Sequence, residues 1–294
     1  MGMDRPPFSS ERIMDANGYV VSRPNGAVLM RRNKKDIEPL SVPSFVKHHC
    51  LLGGNQLAMA VKRNGDWMRW TYNQYYMEIR LTAKGFIRLG LEPHHTVCIY
   101  GFNCPEWHIA DLGAIFAGGF ATGLYPTNSG PTNEYLMNNS RCQILVVENN
   151  ATLRKVKGIL SRVTTIKKVV VIEEEGFTPE EGTILWKDLL KMDYGWYICE
   201  PVLLPDLYGV MLSHDNITFT ASALVEKHDW KKEVVVVSYL PLSHIAANML
   251  DIFVVMRCRG QVFFADKSAL KGSLVDSLRE VQPTLFFGVP RIYE

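Results

Sequence analysis

An α/β fold with a largely parallel sheet covered by helices on both faces is predicted by three observations on this 294-residue chain. Short apolar runs recur at 96–102, 120–125, 143–147, 168–172, 234–237, 261–264 and 284–287. Amphipathic stretches of helical length separate most of them. Continuous runs suit strands buried on both faces, and strand–helix–strand spacing of this length specifies right-handed crossovers between parallel neighbours. The composition, 47% hydrophobic and 21% charged, supplies a core and excludes a disordered chain.

Taken in order, residues 1–40 read as a flexible segment, with Pro6-Pro7, Pro24-Asn25-Gly26 and the basic run Arg31-Arg32-Asn33-Lys34-Lys35. Ser41 or Ser44 caps a first helix. Trp67 to Tyr72 alternates like a strand, and Asn73 is the expected cap of a helix through Ile79, Ala83 and Ile87. Helices are then expected over 105–117, 133–139, 151–160, 245–256 and 270–281, between the apolar runs. Val210-Met211-Leu212 reads as a further strand. Residues 173–209, with Glu173-Glu174-Glu175 and Glu180-Glu181, read as an irregular break.

Several function classes are excluded. The 32 Lys plus Arg nearly cancel the 30 Asp plus Glu, leaving +2, so bulk charge does not hold nucleic acid. Cys50, Cys98, Cys104, Cys142, Cys199 and Cys258 form no Cys-x-x-Cys, and no His-x-x-x-His occurs, so no metal site is expected. Reduced thiols in the cytosol are the simplest reading. The Gly-x-x-x-x-Gly-Lys, Gly-x-Gly-x-x-Gly and Gly-x-Ser-x-Gly patterns are missing as well. The stretch 109–125 carries Asp111 and is too short to span a bilayer.

Ligands of open α/β sheets bind outside the carboxyl ends of strands. Three such ends carry polar groups here. Ser213-His214-Asp215-Asn216 serves either as a helix cap or as part of a site. Ser243-His244 follows Tyr239-Leu240-Pro241-Leu242 and is the stronger candidate. Gly288 would let a ligand approach the backbone, and Arg291 would meet a carboxylate or phosphate, or lie on the surface of a turn.

Together Gly209-Val-Met-Leu-Ser-His-Asp-Asn-Ile217, Ser238-Tyr-Leu-Pro-Leu-Ser-His-Ile-Ala-Ala247 and Gly288-Val-Pro-Arg-Ile-Tyr-Glu294 resemble the adenylate-forming acyl-CoA synthetases. Ala269-Leu-Lys-Gly-Ser-Leu-Val275, and Gly101-Phe-Asn-Cys-Pro-Glu-Trp107 with Phe116-Ala-Gly-Gly119, resemble the bubblegum branch of long-chain fatty acid–CoA ligases. The resemblance covers residues 40–294. It implies a partial N-terminal domain over 41–294, built as an α/β fold of stacked, largely parallel sheets flanked by helices, and ATP-dependent activation of long-chain fatty acids, through an acyl-adenylate, to acyl-CoA. ATP, Mg2+ and coenzyme A are the implied cofactors. Ser243 and His244 would line the acyl and adenylate region, and Gly288 and Arg291 the acyl tunnel and nucleotide pocket. A cytoplasmic protein is implied, with peripheral contact to the endoplasmic reticulum membrane because the substrate is lipid.

Two departures qualify the expectation. The family's later adenine, ribose and magnesium motifs and its C-terminal catalytic lysine are not among these residues. The family also carries a Thr-Ser-Gly-Thr-Thr-Gly-x-Pro-Lys loop just before Gly-Val-Met-Leu-Ser-His, where this chain has Leu204-Pro205-Asp206-Leu207-Tyr208. No hydroxyl-bearing Ser or Thr, no glycine and no lysine stand there, and Asp206 repels phosphate. The chain is therefore expected to be inactive alone, with no catalytic residue assigned. The alternative is a non-catalytic splice or pseudogene-type product that binds a fatty acyl ligand or a protein partner, such as an intact family member.

Overall fold

A computed structural model describes residues 21–22, 28–29, 40–192, 212–228, 230 and 233–288. Residues 1–38 form one unit, within which β1 (Val21–Ser22) and β2 (Val28–Leu29) pair antiparallel. The second unit, 39–294, holds everything that follows.

Its elements run α1 (Val42–Gly53), β3 (Leu57–Arg63), β4 (Asp66–Thr71), α2 (Tyr72–Arg88), β5 (Thr96–Tyr100), α3 (Pro105–Phe116), β6 (Phe120–Leu124), α4 (Gly130–Asn139), β7 (Cys142–Val147), α5 (Asn150–Leu160) and β8 (Lys168–Val171). Then come β9 (Thr183–Leu185), α6 (Trp186–Leu189), α7 (His214–His228), β10 (Val235–Ser238), α8 (Ile245–Asn248), a π-helical segment Met249–Val254, α9 (Val255–Cys258), β11 (Gln261–Phe264), a 3-10 turn Ala269–Lys271 and α10 (Leu274–Val281).

Two sheets result. The five-stranded sheet, ordered β6-β5-β7-β8-β9, is parallel throughout. The four-stranded sheet, ordered β10-β11-β3-β4, is parallel except for the β3–β4 hairpin. That hairpin turns at Asn64-Gly65, both at positive φ (52° and 90°), the pairing that a tight two-residue turn requires. Alternation of side chains distributes each strand between two cores. Val97, Ile99, Ile144 and Val146 point into a central core shared with α1, α2, α3 and the inner face of the four-stranded sheet. Cys98, Tyr100, Leu145 and Val147 pack instead against Leu153, Val156 and Ile159 of α5. Val237 and Tyr239 meet Leu274 of α10 in a third, smaller core. The sheets are thus stacked with a helical layer between them, as the family resemblance implies.

Local capping explains the helix starts. Ser41 Oγ accepts the Ser44 N–H at 3.2 Å, settling the choice between the two serines. The expected Asn73 cap is corrected to Thr71, whose hydroxyl accepts from Gln74 N while the Gln74 side chain accepts from Thr71 N. This reciprocal box outcompetes the asparagine two residues on. The run 284–287 is not a strand. Thr284 and Leu285 both donate their N–H to Val235 O, at 3.0 and 3.1 Å, and the Thr284 hydroxyl accepts from Val235 N at 2.8 Å, so the run meets β10 at a single residue. The strand expected over 210–212 lies outside the described residues except for Leu212, which belongs to no element. Among the described residues no helix is long and apolar enough to cross a membrane.

One tie between the layers has a measurable worth. Tyr72 is buried, and its hydroxyl donates to Gly260 O at 2.7 Å. Tyr72→Phe leaves that buried carbonyl unpaired, and urea unfolding is expected to show a loss of about 1–3 kcal/mol.

Candidate functional site

The site is built where β5 and β10 end. After β5 the chain turns through Gly101 to Cys104 before Pro105 opens α3. The turn places Asn103 in the interior, 4% exposed. Its Nδ2 donates to Ser238 Oγ at 2.9 Å and to Leu240 O at 2.8 Å, and its Oδ1 accepts from Leu242 N at 3.3 Å. Two motifs about 140 residues apart in the chain are thereby joined by one buried amide, and the loop after β10 is held from its first residues.

That loop presents Ser243 and His244. The His244 N–H donates to Pro241 O at 2.9 Å, and His244 caps α8 by accepting the Ala246 N–H on Nδ1 at 3.1 Å. A neutral ring so held carries its proton on Nε2, leaving that N–H as a donor on an exposed side chain. The Ser243 hydroxyl is buried and has no partner among the described residues. Gly123 of β6 lies directly beneath: a Cβ there would sit 2.6 Å from Ser243 Cα and 3.0 Å from Trp107 Cζ2. Only a glycine lets the five-stranded sheet approach the loop this closely.

Gly288 reaches the same region by another route. Tyr239 stacks on Phe286 with ring centroids 5.6 Å apart, and its hydroxyl donates to Phe287 O at 2.8 Å. Gly288 follows directly. Val236, Tyr239, Ala247, Asp251, Leu285 and Phe287 line a narrow cleft of about 10 Å³ here, as polar as it is apolar. The structure therefore brings Ser243 and His244 onto the loop bordering this cleft, and Gly288 to its rim. Arg291 and the segment Leu203 to Tyr208 lie outside the described residues.

His214 is not at this loop. It opens α7, and its Nδ1 accepts the Val42 N–H at 3.2 Å, so it caps α1 across the fold rather than its own helix. Burial pushes its pKa down, which favours the neutral acceptor.

The cations at the strand ends are already engaged. Arg63, ending β3, grips the buried Glu106 through both carboxylate oxygens at 2.8 and 2.7 Å. Lys267, just beyond β11, pairs with Glu148 after β7 and with Glu173 after β8, the latter at 2.8 Å. Lys267 thereby ties the two sheets together and Arg63 ties β3 to α3, so both cations are already paired with carboxylates. A triphosphate with Mg2+ needs positive charge or several aligned donors. One exposed imidazole and one buried hydroxyl do not make such a cradle, and 204–208 brings no lysine, serine or threonine. The residues of this loop do not fit the triphosphate.

Sequence reasoning named Ser243, His244 and Gly288 but not Asn103, Tyr239 or Asp251. Asn103 had a signal, a polar residue directly after a wholly apolar strand.

Comparison with known proteins bears on the same segments. The profile of the family described as AMP-binding enzyme matches residues 52–191 and 209–294, and passes over 192–208. The long-chain-fatty-acid–CoA ligase ACSBG2 of Xenopus laevis is 39% identical over 92% of this chain, which spans 40% of that relative. Human ACSBG2 is 37% identical over 92% of the chain, and ACSBG1 of Rattus norvegicus 38% over 82%. The chain covers 44% and 37% of those two proteins, so it spans well under half of the relatives it matches. Among solved structures, the anthranilate CoA ligase AuaEII in complex with anthranoyl-AMP superposes with a TM-score of 0.75 at 16% identity, over 88% of this chain and 51% of that one. The long-chain-fatty-acid-CoA ligase FadD1 of Archaeoglobus fulgidus gives 0.70 at 14%, over 84% and 51%. The shared architecture and the profile match over most of the chain agree: this chain belongs to the AMP-binding enzyme family, with bubblegum-type long-chain fatty acid–CoA ligases among its relatives.

Proposed function

We propose that this chain is an acyl-CoA synthetase region of the long-chain fatty acid–CoA ligase type that holds a fatty acyl group at the Ser243–His244 loop without activating it by itself. The observation that carries the reading is the Asn103 bridge, because it assembles two of the motifs shared with the ligases into one loop. In this reading the His244 Nε2–H donates to the carboxylate of the fatty acid. The spare Ser243 hydroxyl offers a second donor. Ile245, next to His244 and 47% exposed, gives the loop an apolar tip suited to meeting a lipid at a membrane surface. ATP with Mg2+ and coenzyme A supply the activation and transfer chemistry of the family. The unsuitable donors at 204–208 are the reason adenylation is not assigned to this chain.

Displacement of a fluorescent long-chain fatty acid tests the reading. Saturable binding is expected for the unaltered protein. Gly123→Val drives its side chain into the Ser243 backbone and is expected to weaken binding at least about tenfold, since a 1 Å misplacement of a positioned group has large effects. Equal binding by both proteins sinks the proposal.

A further inference from the structure

Leu51 and Leu52 are 59% and 52% exposed, the one adjacent pair of large apolar side chains so open among the described residues. They stand in the last turn of α1, whose twelve residues include no aspartate or glutamate. One turn earlier on the same face, Lys47 and His48 are exposed, each four residues before one of the leucines. The helix cannot roll to hide the pair. Its other face is committed to the core, where the Phe45 ring meets His49 at 4.5 Å and Phe253 at 6.4 Å between centroids.

A second cation arrives from another element. Gly53 lies against Tyr72, since a Cβ there would sit 2.5 Å from Tyr72 Cγ. At the far end of the same ring the Tyr72 hydroxyl donates to Gly260 O at 2.7 Å. The exposed Arg259, directly before Gly260, is therefore about one tyrosine length from the end of α1. It closes α9 at φ 55°, a left-handed conformation in which glycine is the usual residue. Neither Lys47 nor Arg259 has a carboxylate partner among the described residues. Val234 meets Gly260 from the other side, and Glu233 before it accepts from Gln261 Nε2 at 2.9 Å. We propose that Leu51 and Leu52, flanked by Lys47 and Arg259, dock this end of the protein on the surface of a bilayer that carries anionic phospholipid.

The chemistry matches a lipid headgroup layer. Two leucines enter the boundary between headgroups and acyl chains, while the cations lay their stems along apolar surface and meet the anionic groups. A protein partner is poorly matched. A stable protein interface takes about 800 Å² from each side, and Asn55, Gln56 and Asn73 around the tip are exposed amides that add no apolar area. The face is also separate from the Ser243–His244 loop. Ile245 opens the helical run that ends at Cys258, and those ends are roughly 20 Å apart at the rise of a helix. The proposal therefore stands without the fatty acid reading.

Flotation of the full chain with vesicles tests it, using phosphatidylcholine alone and with about 30% phosphatidylserine. Saturable binding is expected on the anionic vesicles and weaker binding on the neutral ones. It should fall as salt rises, because the screening length shrinks from about 10 Å at 0.1 M to about 3 Å at 1 M. Leu51→Ser with Leu52→Ser is expected to lower binding at least about tenfold. Lys47→Gln and Arg259→Gly are each expected to lower it about fivefold. Arg259→Gly separates docking from folding. Glycine suits the left-handed position, so stability in urea should be equal or higher while binding falls. No binding to the anionic vesicles, or undiminished binding by the double leucine variant, overturns the proposal. So does a dimer in sedimentation equilibrium that the leucine variant abolishes, which would give this face to a second copy. The vesicles hold no fatty acid, so failure here leaves the displacement assay untouched, and failure there leaves this result intact.

Discussion

Replacing Asp111 and Asp251 together by asparagine is expected to turn a level stability profile into one that climbs between about pH 4 and 6.5. Three buried groups, His49, His108 and Asp111, and the half-buried Asp251 set the profile. His49 and His108 are lowered from 6.5 to about 3, chiefly by burial, so between those values the unfolded chain binds protons that the folded one refuses. Stability from these histidines is complete above 6.5 and is lost as pH falls toward 3. Asp111 and Asp251 act oppositely. They are raised from 3.8 to about 7, so the folded state binds the extra protons, and stability is lost as pH rises from about 4 through about 7. Each proton is worth about 1.4 kcal/mol per pH unit. From about pH 4 to 6.5 two protons on each side cancel. In the double variant only the histidines remain, and the slope becomes about 2–3 kcal/mol per pH unit. At pH 8 the variant is expected to be the more stable protein, by on the order of 4 kcal/mol at Asp111 and less at Asp251, whose edge reaches the cleft. Urea unfolding at pH 4.5, 5.5, 6.5 and 8 reads the profile. A variant as level as the parent contradicts the assignment.

Asn103→Ala is the second large effect. The amide is buried, and its removal strands the Ser238 hydroxyl, the Leu240 carbonyl and the Leu242 N–H around a small void. A buried group left unpaired costs about 1–3 kcal/mol, and the three share one network, so a loss of about 3–5 kcal/mol is expected rather than a simple sum. Fatty acid affinity should fall with it, because His244 is placed by the same loop. Asn103→Asp is the sharper variant. It keeps the shape and the acceptor for Leu242 N but loses both donations, so it is expected to be as damaging as alanine at neutral pH. Wild-type stability and binding in either variant would remove Asn103 from the centre of the account.

Much of this was legible in the sequence. The β5, β7 and β8 runs are apolar at nearly every position because both sheet faces are covered, and such runs cannot be mistaken for exposed loops. Strand β3 escaped notice because Lys62 and Arg63 break its apolar texture, although Asn64-Gly65 after it is a strong hairpin signal. The run 284–287 misled for the converse reason. It has strand-like residues, but the Thr284 side chain and the N–H groups of Thr284 and Leu285 all meet β10 at Val235, and no ladder follows. The motifs located Ser243, His244 and Gly288. The pairing of Asn103 with a loop far along the chain exists only once the sheets are stacked.

The central claim is that this chain holds a long-chain fatty acid and leaves it chemically unchanged. Losing one preorganised donor in a comparable site costs about 100- to 1,000-fold in rate, and several are missing at 204–208. The direct measurement incubates the protein with radiolabelled long-chain fatty acid, ATP and Mg2+, separates the protein-bound label and identifies it. The account predicts saturable bound label recovered as free fatty acid. Label recovered as acyl-adenylate, or no bound label at all, would contradict it.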